Sequence, residues 1–164
     1  KLPYHYLKVT DRHVVPPARS RTEASGVAVA AIELSDGRIV TGKAGELLGS
    51  SAAVLMNALK DLAGIPHKEL ILSPESIAPI QALKTQYLGS KNPRLHTDEV
   101  LIALTMSAVE SADAKKAFDA LKSLKGSEAH ATVILSQVDR DTFRKLGINL
   151  TCEPHYESKK LYHK

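Results

Sequence analysis

Val27-Ala-Val-Ala-Ala-Ile-Glu-Leu34, Ser35-Asp-Gly37 and Arg38-Ile-Val-Thr41 read in succession as strand, turn and strand. The flanking runs are rich in β-branched residues, and an Asp-Gly pair between such runs supplies the positive φ that a tight hairpin turn needs. Gly42 to Gly49 then forms a glycine-punctuated loop. After it, Ser50 or Ser51 can cap a helix that runs through Ala52, Leu55, Leu59 and Leu62 to a stop at Gly64. A hairpin that feeds a helix places the chain in the α/β class.

Further along, Glu69-Leu-Ile-Leu72 reads as a short strand. Ser73-Pro74-Glu75 offers an N-cap, a proline in the first turn and an acid for the helix dipole. Pro79 moves the expected start of that helix several residues on. Gly89 to Arg94 is a basic loop, after which Thr97-Asp-Glu caps a helix with Val100, Leu101, Leu104 and Val109 on its apolar positions. Asp113 begins a second helix that ends at Leu124, so the two form a helical pair. Ala131 to Leu135, Asp139 to Leu146 and Ile148 to Thr151 complete a strand, a helix and a strand. The order ββαβα, helical pair, βαβ predicts a mixed sheet covered by helices on both faces. Residues 1–26 show no period and contain Pro16-Pro17, which predicts an extended basic arm. Residues 27–154 are then the α/β domain, and 155–164 a polar C-terminal tail.

The composition suits one core. The 164 residues are 43% apolar, 24% charged and only 4% aromatic, so the interior is expected to be Ala, Val, Ile and Leu. Cys152 is the single cysteine, which rules out an internal disulfide, fits a reducing cytoplasm and reads as a small buried hydrophobe. No apolar run reaches the roughly 18 residues of a membrane helix. The opening Lys1-Leu-Pro-Tyr-His-Tyr6 has no signal-peptide core, and a start without Met reads as part of a longer chain. A net charge of +4 favours anionic partners. With no RNA-type aromatic motif among the basic residues, nucleic acid is not the expected partner.

Three groups are candidate anion ligands. Arg12, His13, Arg19, Ser20, Arg21 and Thr22 concentrate cationic and hydroxyl donors around Pro16-Pro17. In an extended arm, Arg19 and Arg21 point the same way, about 7 Å apart, and can clamp one phosphate. Lys43, Ser50 and Ser51 belong to the glycine loop at a helix start, where free N–H groups attract anions. Lys91, Asn92, Arg94 and His96 form the third group. His96 with Asp98 and Glu99, and His130 with Glu128, match no ligand spacing, so neither a metal nor a cofactor is expected. The polar density predicts a phosphate- or nucleotide-binding cleft shared with an upstream region. The rival reading is a structural or homo-oligomerisation domain joined through residues 97–109 and 113–124.

Leu7 to Ser25 (Leu-Lys-Val-Thr-Asp-Arg-His-Val-Val-Pro-Pro-Ala-Arg-Ser-Arg-Thr-Glu-Ala-Ser), Tyr87 to Val100 and Lys145 to Pro154 closely resemble the bacterial family called domain of unknown function 1846. The resemblance covers nearly the whole chain. It implies the C-terminal end of a longer protein whose upstream part carries a glycine-rich, P-loop-like segment, and it brings no reaction with it. No His-Glu-x-x-His or other protease constellation is present. The element order is also similar to the cytidine-deaminase-like fold. Its zinc positions would fall at Ser51-Ala52-Ala53 and Pro74 to Ala78, which lack ligands, so that similarity implies a metal-free version.

Overall fold

The computed structural model describes residues 8–157. Four strands, β1 (Val29–Glu33), β2 (Ile39–Lys43), β3 (Glu128–Ala131) and β4 (Asn149–Cys152), form one open sheet in the order β2-β1-β3-β4. The described residues also form six α-helices: α1 (Val15–Ser25), α2 (Ser50–Leu62), α3 (Pro74–Ala82), α4 (Thr97–Ser107), α5 (Ala112–Asp119) and α6 (Gln137–Lys145). β1 is antiparallel to both of its neighbours, and β3 is parallel to β4. β2, β3 and β4 therefore all run the same way, and the helices that follow β2 and β3 start at the same edge of the sheet.

Alternation along β1 divides the core. Ala30 and Ile32 face α2 and join the main apolar cluster with Leu55, Leu59, Leu104 and Phe143. Val29 and Ala31 point the other way and pack on Val14, Val15 and Ala18 at the start of α1. Successive side chains of a strand point to opposite faces, so one central strand serves both layers. The α2 backbone comes very close to β2 at Gly42, where a Cβ would lie 2.2 Å from the Val54 nitrogen. Glycine is the residue that admits such an approach. The expected mixed sheet with helices on both faces is present, and so is the hairpin.

Several local expectations are corrected. Residues 15–25 are helical, not part of an extended arm. Pro16 and Pro17 lie in the first turn of α1, where their missing N–H groups would have had no partner anyway, and Gly26 ends the helix at φ 74°. Glu69 to Leu72 form no strand. The Lys60 ammonium binds the carbonyls of His67 (2.6 Å) and Glu69, which holds this segment in an irregular loop. The expected order ββαβα therefore does not form, and the likeness to cytidine deaminases is not shown. α3 starts at Pro74 and carries Pro79 inside it, followed by one π turn over Leu83–Tyr87. The third strand is Glu128–Ala131, earlier than the Ala131 to Leu135 run suggests. Its ladder stops where the Thr132 hydroxyl takes the Val29 N–H (3.0 Å). α5 ends at Asp119 and passes into a 3-10 turn over Ala120–Leu124.

Candidate functional site

The site begins with two loops tied together. Leu48 and Leu95 form a parallel bridge, and Leu95 N–H donates to Leu47 O at 2.9 Å. This lays the entry loop of α2 beside the entry loop of α4. The second loop is fixed from below by buried Lys84, whose ammonium reaches Arg94 O and the Glu99 carboxylate (2.9 Å). The same Glu99 oxygen accepts from the His96 N–H at 2.7 Å, so the N-cap of α4 is His96 and not Thr97.

Thr97 is thereby free for a different bond. Its N–H and hydroxyl both donate to Asp139 Oδ1, at 2.9 and 2.8 Å. Asp139 lies in the first turn of α6, which Ser136 caps, and His96 Nδ1 lies 3.5 Å from its other oxygen. Burial opposes charge on Asp139, yet hydrogen bonds from His96, the Thr97 N–H and Ser51 outweigh it and hold the carboxyl below its ordinary range. The hydrogen bond to Asp139 in turn raises the pKa of His96 above its ordinary value. One buried carboxylate thus joins the starts of α2, α4 and α6.

Between these helix starts lies a cavity of about 40 Å³. Ser50, Ser51, Asn92, Arg94 and His96, five of the thirteen residues expected to bind an anion, line it together with Asp139. Ser50 and Ser51 are the first residues of α2, after an N-cap at Gly49, so neither serine caps the helix as expected. Ser51 turns to Asp139. Ser50 is 4% exposed and lines the cavity.

The other eight candidates lie elsewhere. Lys43 and Lys91 are exposed outside the cavity. Arg12 reaches Glu128 Oε1 through Nε (3.0 Å) and Nη2 (2.7 Å), with Nη1 on Thr151. His13 pairs with Glu33 at 3.1 Å, and Arg19 with Glu153 at 2.8 Å. Arg21 bonds Thr41 and Thr22 bonds the Val27 carbonyl, while Ser20 is exposed. Two positions apart on a helix is about 200° of rotation, so Arg19 and Arg21 diverge and form no clamp. The basic groups therefore do not converge, because the α1 residues attach that helix to the sheet face opposite α2. Asp139 and Glu157, which also line the cavity, were not expected. The Ser136-x-x-Asp139 spacing was a visible cue for Asp139, since it marks a helix start.

Fold and site together define an open-sheet α/β domain whose polar side chains gather beyond the carboxyl ends of two co-directed strands, where α/β sheets commonly hold ligands. No described helix is long and apolar enough to cross a membrane. The chain belongs to the family described as domain of unknown function DUF1846, C-terminal, which matches residues 10–162. A UPF0371 protein of Corynebacterium glutamicum (strain R) is 58% identical over 156 residues, covering 95% of this chain and 32% of the relative. UPF0371 protein str1377 of Streptococcus thermophilus (strain CNRZ 1066) is 51% identical over 154 residues, covering 94% and 31%. The chain thus spans about a third of the length of these curated relatives.

Proposed function

We propose that the cavity at the starts of α2, α4 and α6 binds the phosphate group of a small molecule or nucleotide, and that residues upstream in the longer protein complete the cleft. The grouping of Ser50, Arg94 and His96 around one cavity carries this reading, with Ser50 set at a helix start that no side chain caps. A hydroxyl and two cationic side chains that meet at a cavity are donors of the kind that hold an anion. Arg94 and a readily protonated His96 supply cationic donors at the same place, each beside a carboxylate, Glu157 and Asp139, and the N–H groups of a helix start suit a phosphate.

The test is a thermal-shift titration of the 164-residue chain with inorganic phosphate, sugar phosphates and nucleotides. A ligand at about a hundred times its Kd adds roughly 2.7 kcal/mol. Ser50→Ala and Arg94→Gln should each weaken the response. A melting temperature indifferent to every phosphate compound removes the reading.

A second reading, a contact surface for another protein region or a second copy, has its own support. Ile102, Met106 and Val109 follow helical spacing along α4 and its end, and they are 59%, 71% and 83% exposed. Sedimentation of the chain over a range of concentrations tests self-association.

A further inference from the structure

Arg94 already holds an anion. Its Nη1 donates to Oε2 of Glu157 at 2.6 Å, with the two side chains 23% and 24% exposed. The carboxylate is brought there by the segment after β4. Glu153 N–H donates to Ala131 O (2.9 Å), and Ile134 N–H donates to His155 O (2.7 Å). Residues 153–157 therefore run beside the passage from β3 to α6, which also walls the cavity. With this segment seated, the 40 Å³ of space accommodates a few water molecules and not a sugar phosphate.

We infer that Glu157 is a resident competitor for Arg94, which restricts the site to phosphate monoesters and inorganic phosphate and excludes carboxylates and phosphodiesters. The inference rests on the phosphate reading above and deepens it by naming the ligand class. A tethered carboxylate acts at an effective concentration of about a millimolar or more. A free monoanion that replaces it exchanges like for like and gains no charge. A monoester near neutral pH carries a charge of about −1.5 to −2 and three acceptor oxygens, so it outbids the carboxylate for the guanidinium and still has oxygens for Ser50 and the α2 N–H groups. The Glu157 side chain is partly exposed already.

The experiment is calorimetric titration of the 164-residue chain and its Glu157→Gln variant with phenyl phosphate, dimethyl phosphate and acetate, at a pH where the monoester is a dianion. The wild-type chain should bind phenyl phosphate alone. Glu157→Gln should bind it about tenfold tighter, the equivalent of 1.4 kcal/mol, and should acquire measurable affinity for dimethyl phosphate and acetate. Glu157→Ala repeats the comparison without an amide that can itself accept from Arg94, and unliganded melting curves establish that each variant is folded. Equal affinity of wild-type and both variants for phenyl phosphate overturns the inference and leaves the phosphate reading standing. So does wild-type binding of dimethyl phosphate as tight as that of phenyl phosphate. No binding of any probe by any form overturns both.

Discussion

At the scale of single residues, Asp139 has the most connections, since it accepts from Thr97 twice and pairs with His96 in a buried setting. The pair has a definite pH signature. His96 lies above its ordinary 6.5, so its contribution to stability is complete below 6.5 and is lost as pH rises through the folded value. Asp139 lies below its ordinary 3.8, so its contribution is present above 3.8 and is lost as pH falls through the folded value. The melting temperature should therefore decline on the alkaline side of 6.5, and Asp139→Asn should flatten that part of the curve. The same change should cost about 1–3 kcal/mol, because Asn keeps an acceptor for Thr97 but no charge for His96. An unchanged alkaline limb in Asp139→Asn would show that His96 titrates independently of it. Gly42 is the other telling position. Gly42→Ala puts a methyl against the Val54 backbone, and overpacking of this kind costs about 1–3 kcal/mol, read as a lower urea midpoint.

At the scale of elements, α1 is the instructive case. Its first turn buries Val14, Val15 and Ala18 completely, while its arginines and the preceding Arg12 pair with residues of β2, β3 and the end of β4. Replacing both Arg19 and Arg21 by Gln should lower the melting temperature of the unliganded chain and leave phosphate affinity unchanged. The opposite result, weaker phosphate binding at constant stability, would restore these arginines to a binding role. The hairpin, α2 and the overall mixed sheet were legible in the sequence because Asp36-Gly37 and the leucine spacing of α2 are local signals. α1 was misread because Pro16-Pro17 breaks a helix interior but suits a first turn, and nothing local distinguishes the two when the apolar face is three small residues. Glu69 to Leu72 has the apolar content of a strand, but the Lys60 ammonium binds the loop carbonyls seven and nine residues downstream of it. In the site, Arg94 and His96 were visible as a basic loop before a helix. Their meeting with Ser50 was not, because it depends on the bridge between Leu48 and Leu95, a contact across 47 residues with no pattern of its own.

At the scale of the whole molecule, the sheet has two unlike faces. One is closed by apolar packing under α2, α4 and α6, the other by a short apolar patch and a set of ion pairs under α1. The relatives are about three times as long as this chain, and the apolar residues left open on α4 offer one place for more protein to pack. Ile102→Ser with Met106→Ser should leave stability nearly unchanged, since both side chains already meet water. It should abolish any concentration-dependent sedimentation, and persistence of association in the double variant would move the contact elsewhere. The central position of β1 has a consequence for how the chain is made. β1 finds β2 at once through the hairpin, but its other neighbour, β3, lies about a hundred residues downstream. At about 5–20 residues per second, the ribosome takes on the order of 5–20 s to deliver it. Through that interval the open edge of Val29–Glu33 is an uncharged row of small apolar residues up to its last position, the kind of edge that recruits other strands. Nascent chains stalled before Glu128 should therefore aggregate or be held by chaperones, whereas chains released after Cys152 should not, and ribosome-bound intermediates of graded length would show where the change occurs.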